Sequence, residues 1–186
     1  MLGLKKGEVL LYDHDTEWEK IAAQSIIFLK NLFGETAIEI QHVGSTAIKS
    51  IKAKPIIDIV VGVNDFARVK ALRPVLADAG LVHRPNNDQP DYMMYIIGDV
   101  EKEIRTHHIH VVPYEGEEWR NQLNFRDYLN AKEAVAKEYE SLKMLLMKQN
   151  KNNRSNYTQS KQDFIPSKKR TKINCKLLKI NILCNK

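Results

Sequence analysis

Apolar side chains recur at spacings of three and four through "DTEWEKIAAQSIIFLKNLFG", at Trp18, Ile21, Ala22, Ile26, Leu29 and Phe33, which predicts an amphipathic helix ending at Gly34. The period then changes. "TAIEIQHV" alternates as a half-buried strand does. "KPIIDIVVGV" is a near-continuous apolar run, the pattern of a strand covered on both faces and so of the sheet's centre. A second helix is predicted in "NDFARVKALRPVLADAG", opened by Asn64 or Asp65 as N-cap and closed by Gly80, with Pro74 as a candidate kink. Ahead of the first helix, "EVLLY" reads as a short strand. Beyond the second, "LVHR" and the turn-rich "PNNDQPD" lead into strands in "YMMYIIG" and "RTHHIHVVP". Two long helical patterns, roughly residues 116–130 and 131–149, precede a shorter closing helix in "NYTQSKQDFI". There is no internal repeat. This order describes an α+β (mixed α/β) layered domain: a mixed β-sheet, helices packed on it and a C-terminal helical block.

Composition changes the picture mainly by where it places charge. The chain has 186 residues, 43% of them apolar, enough for one core and an appendage. Its formal net charge of +6 suggests an anionic partner until it is located. Residues 166–186, "PSKKRTKINCKLLKINILCNK", carry seven Lys and Arg and no acid, which leaves 22 basic against 23 acidic side chains in residues 1–165. A near-neutral body argues against nucleic acid as its partner. Both cysteines, Cys175 and Cys184, also lie in that tail, so a disulfide framework or a Cys-rich zinc site in the body is excluded. No window holds eighteen consecutive apolar residues, and the start lacks a secretory pattern, so a cytoplasmic protein without a membrane span is expected. Oligomeric state is not readable.

Three places carry candidate chemistry. In "HVGSTA", Gly44 lets a backbone approach a ligand closely, and the Ser45 hydroxyl with nearby N–H groups, Thr46 beside it, can hold a phosphate oxygen; the same residues also make an ordinary loop. Asp58 shares a strand face with Ile56 and Val60, opposite Ile57, Ile59 and Val61. A carboxylate there needs a cation, a donor or an opening to solvent. Lys54 and Arg105 are candidate partners in a core ion pair, and a metal ion is the alternative. "RTHHIHVV" puts His108 and His110 on one strand face and His107 on the other, and spacing of two on a strand aims two imidazoles at one point. Arg126 and Lys143 on the late helices read either as solvated charges or as cations reaching toward phosphate.

As an ordered set, "YDHDTEW", "IQHVGSTAIKSIKAKPIIDIVVGV", "RTHHIHVV", "FRDYL" and "YTQSKQDFI" resemble the GrpB family, a branch of the nucleotidyltransferase-fold superfamily, over roughly residues 8 to 165. The resemblance implies a GrpB-like nucleotidyltransferase-fold domain over residues 1–165; residues 166–186, opened by Pro166 and foreign in composition to that body, depart from the family and are expected to form a basic, poorly ordered tail. The resemblance further implies that Gly44 and Ser45 match a phosphate-gripping turn and that Asp58 matches a metal-binding carboxylate on the next strand. In active superfamily members such acids hold divalent ions that neutralise and align a triphosphate.

Two departures qualify what is carried over. The superfamily's strand has two acids one residue apart, and the first falls here on Ile56. Its third acid sits on a later strand, where this chain offers histidine. One carboxylate with imidazoles suits Mg²⁺ poorly and Mn²⁺, Zn²⁺ or Fe²⁺ better. Three functions are therefore expected in contention. The first is nucleotidyl transfer from a nucleoside triphosphate to an unknown acceptor. Here Asp58, His108 and His110 would be catalytic, and Gly44, Ser45, Thr46, Lys54, Arg105, Arg126 and Lys143 would hold the nucleotide or phosphorylated small molecule. The second is an inactive nucleotide or phosphometabolite-binding module. The third is a metal-dependent hydrolase using Asp58, His108, His110 and His42 around one divalent ion.

Overall fold

The computed structural model describes residues 1–149 except Lys6. Among these, six strands and five α-helices follow in the order β1 (Leu4–Lys5), α1 (Glu17–Phe33), β2 (Ala37–Val43), β3 (Ile57–Val63), α2 (Phe66–Ala71), α3 (Arg73–Asp78), β4 (Val82–His83), β5 (Met93–Asp99), β6 (Ile104–Pro113), α4 (Glu117–Ala131) and α5 (Glu133–Gln149). The sheet runs β2-β3-β6-β5-β4, and β1 pairs with the start of β6, ahead of the residues that β3 takes up. Only β3 and β6 are parallel.

The central apolar run is β3, as its composition predicts. Its residues divide by parity between two cores. Ile57, Ile59, Val61 and Val63 join Ile109 and Val111 of β6 and Tyr95 of β5 beneath α1, whose Trp18, Ala22, Leu29 and Phe33 close the main core. Each such aliphatic side chain contributes about 1.5 to 3 kcal/mol relative to exposure. On the other face Val60 packs with Val43, Val112 and Trp119 of α4. A third cluster pins the loop after β2, through Ile48 and Ile51, to Leu129, Ala136 and Tyr139 of α4 and α5.

Local signals explain the helix ends. Asp15 accepts a hydrogen bond from the Glu17 N–H at the start of α1, and the chain leaves that helix through Gly34 at φ 51°. Asp65 caps α2, accepting from the N–H groups of Ala67 and Arg68. Where one helix was expected over residues 64–80 there are two, because Pro74 has no N–H to continue the ladder and its ring collides with the carbonyl of the residue four before it.

"EVLLY" is not a strand. Gly7, at φ 94°, turns the chain off the sheet after Lys5, Val9 packs with Leu146 of α5, and only Tyr12 forms an isolated bridge, to Ala53. The expected closing helix in "NYTQSKQDFI" and the basic segment 166–186 lie outside the described residues. Among those described, no helix is long and apolar enough to cross a membrane.

Candidate functional site

Parallel pairing of β3 with β6 sets Asp58 beside His108 and Val60 beside His110. Neighbours across a ladder share a face, so one carboxylate and two imidazoles gather on the α4 side of the sheet. His108 Nδ1 lies 3.0 Å from Asp58 Oδ1, and His110 Nε2 lies 3.6 Å from the same oxygen. The two rings stand nearly perpendicular, 6.3 Å apart. Asp58 is 27% exposed, with His108 at 13% and His110 at 18%, so the group opens to solvent rather than lying sealed in a core. Burial works against ionisation of Asp58, but hydrogen bonds and positive charge from His108 and His110 outweigh it and hold the carboxyl well below the usual carboxylate range.

The turn after β2 meets this acid directly. Gly44 has φ 71°, and a Cβ there would sit 2.2 Å from Asp58 Oδ2 and 2.7 Å from Asp58 Cβ. Both the backbone conformation and the space require glycine. Ser45 follows directly and begins a short 3-10 turn over Ser45–Ala47.

Tyr92, which the sequence pattern did not single out, completes the group. Its hydroxyl lies 2.7 Å from His110 Nδ1, leaving Nε2 turned toward Asp58. Burial, reinforced by Glu118, Asp58 and Asp88, pushes the Tyr92 phenol up and keeps it protonated. The sequence signal available was modest: a tyrosine two residues before Met94, which pairs with His110.

The donor set fits a divalent transition ion. One ligand atom from each of Asp58, His108 and His110 lies within 4.8 Å of the other two. Donors held about 2.1 Å from one ion lie roughly 3 to 3.5 Å apart, close to the 3.0 and 3.6 Å that separate His108 Nδ1 and His110 Nε2 from Asp58 Oδ1. A hydrogen bond to the remote nitrogen of a ligating imidazole, as Tyr92 makes to His110, orients such a ligand. Two imidazoles and one carboxylate match manganese, iron or zinc better than magnesium.

The other predicted site residues are dispersed. His42 pairs opposite Ile59, which turns it to the α1 side and away from the triad; its Nε2 lies 3.0 Å from Thr46 Oγ1. Burial pushes the His42 imidazole down to about 4. Thr46 is itself buried and donates to the Ile56 carbonyl, so its hydroxyl serves the turn. Arg126 donates through Nη1 to Gln41 Oε1 and to the His42 carbonyl, tying α4 to β2. Lys143 is 1% exposed, with Nζ on the Lys52 carbonyl and over the Tyr139 ring. Asp58 takes its partners from β6 histidines rather than from Lys54 or Arg105, and Arg105 lies on β6 three residues before His108.

The fold of this mixed sheet, with its glycine-serine turn packed on a central-strand aspartate, recurs in known proteins. The model of the GrpB protein family matches residues 8–170, and the chain belongs to that family. The glutamate-rich protein GrpB of Alkalihalophilus pseudofirmus is 42% identical over 168 residues, covering 89% of this chain and 96% of that protein. The crystal structure of the conserved protein GrpB from Enterococcus faecalis superposes with a TM-score of 0.74 at 25% identity, over 81% of this chain and 90% of that one. Cid1, solved in complex with its short product ApU, shares the fold with a TM-score of 0.51 at 14% identity, over 74% of this chain and 43% of that one. The near-neutral body does not exclude nucleic acid as a partner, since the fold also occurs in a protein solved in complex with its short product ApU.

Proposed function

We propose that this chain transfers a nucleotidyl group from a nucleoside triphosphate to an acceptor, at a site formed by the Gly44–Ser45 turn, Asp58, His108 and His110. The observation that carries the reading is the contact of Gly44 with Asp58, which sets the glycine-serine turn directly against the one carboxylate of the central strand with no room for a side chain between them. Asp58, His108 and His110 would hold a divalent ion, which supplies neutralisation of phosphate charge when bound. Ser45 and the adjoining N–H groups orient the triphosphate. An acceptor oxygen then bonds to the α-phosphorus as the bridging bond to the β-phosphate breaks, pyrophosphate leaves and the acceptor's proton passes to water.

A second reading has one specific observation in its favour. Ile56, where the superfamily pattern has its first acid, is buried and apolar, so the site has one carboxylate where two are usual. That deficit suits a module that binds nucleotides without turning them over. The hydrolase reading, by contrast, loses His42 to the opposite face.

Incubation of untagged protein with nucleoside triphosphates, Mn²⁺ or Mg²⁺ and a pool of acceptors separates the two. Transfer predicts pyrophosphate release that falls more than about 100-fold in Asp58→Asn, the scale of losing a ligand and its charge. Nucleotide-dependent stabilisation that persists in Asp58→Asn, with no pyrophosphate released by either protein, would overturn transfer in favour of the binding module.

A further inference from the structure

Among the described residues, α4 covers only part of the site face of the sheet. α4 makes its main sheet contacts with β2, β3 and β6, burying Val60 and Val112 under Trp119. Past that cover the same face continues across β5, where Ile96 pairs with His108 and Met94 with His110. Two arginines stand at the corners of this apolar floor. Arg84 extends the β4 ladder by donating its N–H to the Met94 carbonyl, which sets it across from Met94. Arg105 lies opposite Gly98, two residues along β5 from Ile96.

Among the described residues, neither guanidinium has a hydrogen bond or an ion pair. Their heads are near enough to act on each other: Arg105 is pushed below its usual value first by burial and then by the charge of Arg84, with Glu103 as the opposing acid. Two partly desolvated cations facing one another are an unfavourable arrangement that a shared anion relieves, and guanidinium forks match phosphate oxygens geometrically.

The location gives this pair a distinct role. The Gly44–Ser45 turn approaches Asp58 from the β2 side, whereas Arg84 lies across β5 from the triad and Arg105 stands on β6 itself, three residues before His108. Two anion-holding features therefore flank one reactive centre. We propose that Arg84 and Arg105 bind a phosphate group of the acceptor, so that the molecule receiving the nucleotidyl group is itself phosphorylated. This deepens the transfer reading and rests on it for the word acceptor, but the phosphate subsite stands or falls independently.

The test uses the full chain without metal or triphosphate and two probes, AMP and a five-nucleotide single-stranded RNA, titrated by calorimetry at low salt. Arg84→Ala with Arg105→Ala is expected to weaken both about 100-fold, roughly tenfold per charge-assisted contact. Arg84→Gln with Arg105→Gln keeps the side-chain stems and gives the same loss if alanine unsettles the sheet. Lys30→Ala with Lys70→Ala removes equal charge from exposed positions elsewhere and is expected to change binding less than about threefold. Asp58→Asn, which ends transfer, leaves this binding intact, so wild-type protein that releases no pyrophosphate yet keeps arginine-dependent binding would reject the transfer reading alone. The ratio of the two wild-type affinities tells a free phosphometabolite from a nucleic-acid end. Wild-type protein that binds neither probe, or arginine variants no weaker than the lysine control, would overturn the proposal.

Discussion

His107 and His108 are neighbours in sequence and opposites in circumstance. His107 points to the α1 side, buried, with Nε2 3.0 Å from Ser25 Oγ and Nδ1 2.9 Å from Thr106 Oγ1, and burial pushes its imidazole down to about 4. His108 points to the α4 side, beside a carboxylate and close to solvent. Alternation along β6 makes one a structural residue and the other a candidate ligand. The contrast extends across the sheet: among the described residues, α1 closes one face, and on the other Asp58, His108 and His110 keep some exposure to solvent.

Damage to the two faces should therefore differ in kind. Ile59→Ala on the sealed face is expected to cost about 2 to 5 kcal/mol in denaturant unfolding, while the fraction still folded binds Mn²⁺ as wild type does. Acid should reach the sealed face next. His107 and His42 have folded values below the unfolded 6.5, so between about 6.5 and about 4 the unfolded chain binds protons that the folded chain does not, and stability falls as pH falls through that window. Each contributes roughly 3 kcal/mol across it. His107→Gln should flatten the slope of stability against pH there; an unchanged slope would mean that burial of His107 is not what links them. Asp58 acts in the same direction but only below the ordinary aspartate range, because its folded value is depressed from that range.

Smaller effects belong to the open face. Gly44→Ala must adopt a strained positive φ and displace Asp58, at about 1 to 3 kcal/mol, with loss of Mn²⁺ binding beyond what the stability change explains. Tyr92→Phe removes only the hydroxyl on His110 Nδ1. Metal affinity should drop about tenfold with little change in Tm, and an unaltered affinity would show that Tyr92 does not orient the ligand.

Much of this was legible in the residues themselves. The period of α1 and its stop at Gly34, the apolar run of β3, the alternation of β6 and the two late helices all stand where their patterns place them. So does the separation of His107 from His108 and His110. Legibility failed where contacts are distant. "EVLLY" has strand composition, yet Val9 finds its partner in α5; Arg126 and Lys143 look like free cations, yet backbone carbonyls of β2 and of the loop after it occupy them. Tyr92 and Arg84 carry no pattern of their own, since each matters only through a residue on a neighbouring strand.

Taken by itself, the amino-acid sequence determined which segments are helices and strands and which side chains share a face, because those properties depend on residues a few positions apart. Tertiary structure decided that β3 lies parallel against β6 in the register that brings Asp58 to His108, 50 residues later in the chain, and turns His42 away. That register is set by burial of the whole apolar sheet beneath α1, a collective quantity to which no single stretch of residues holds the key.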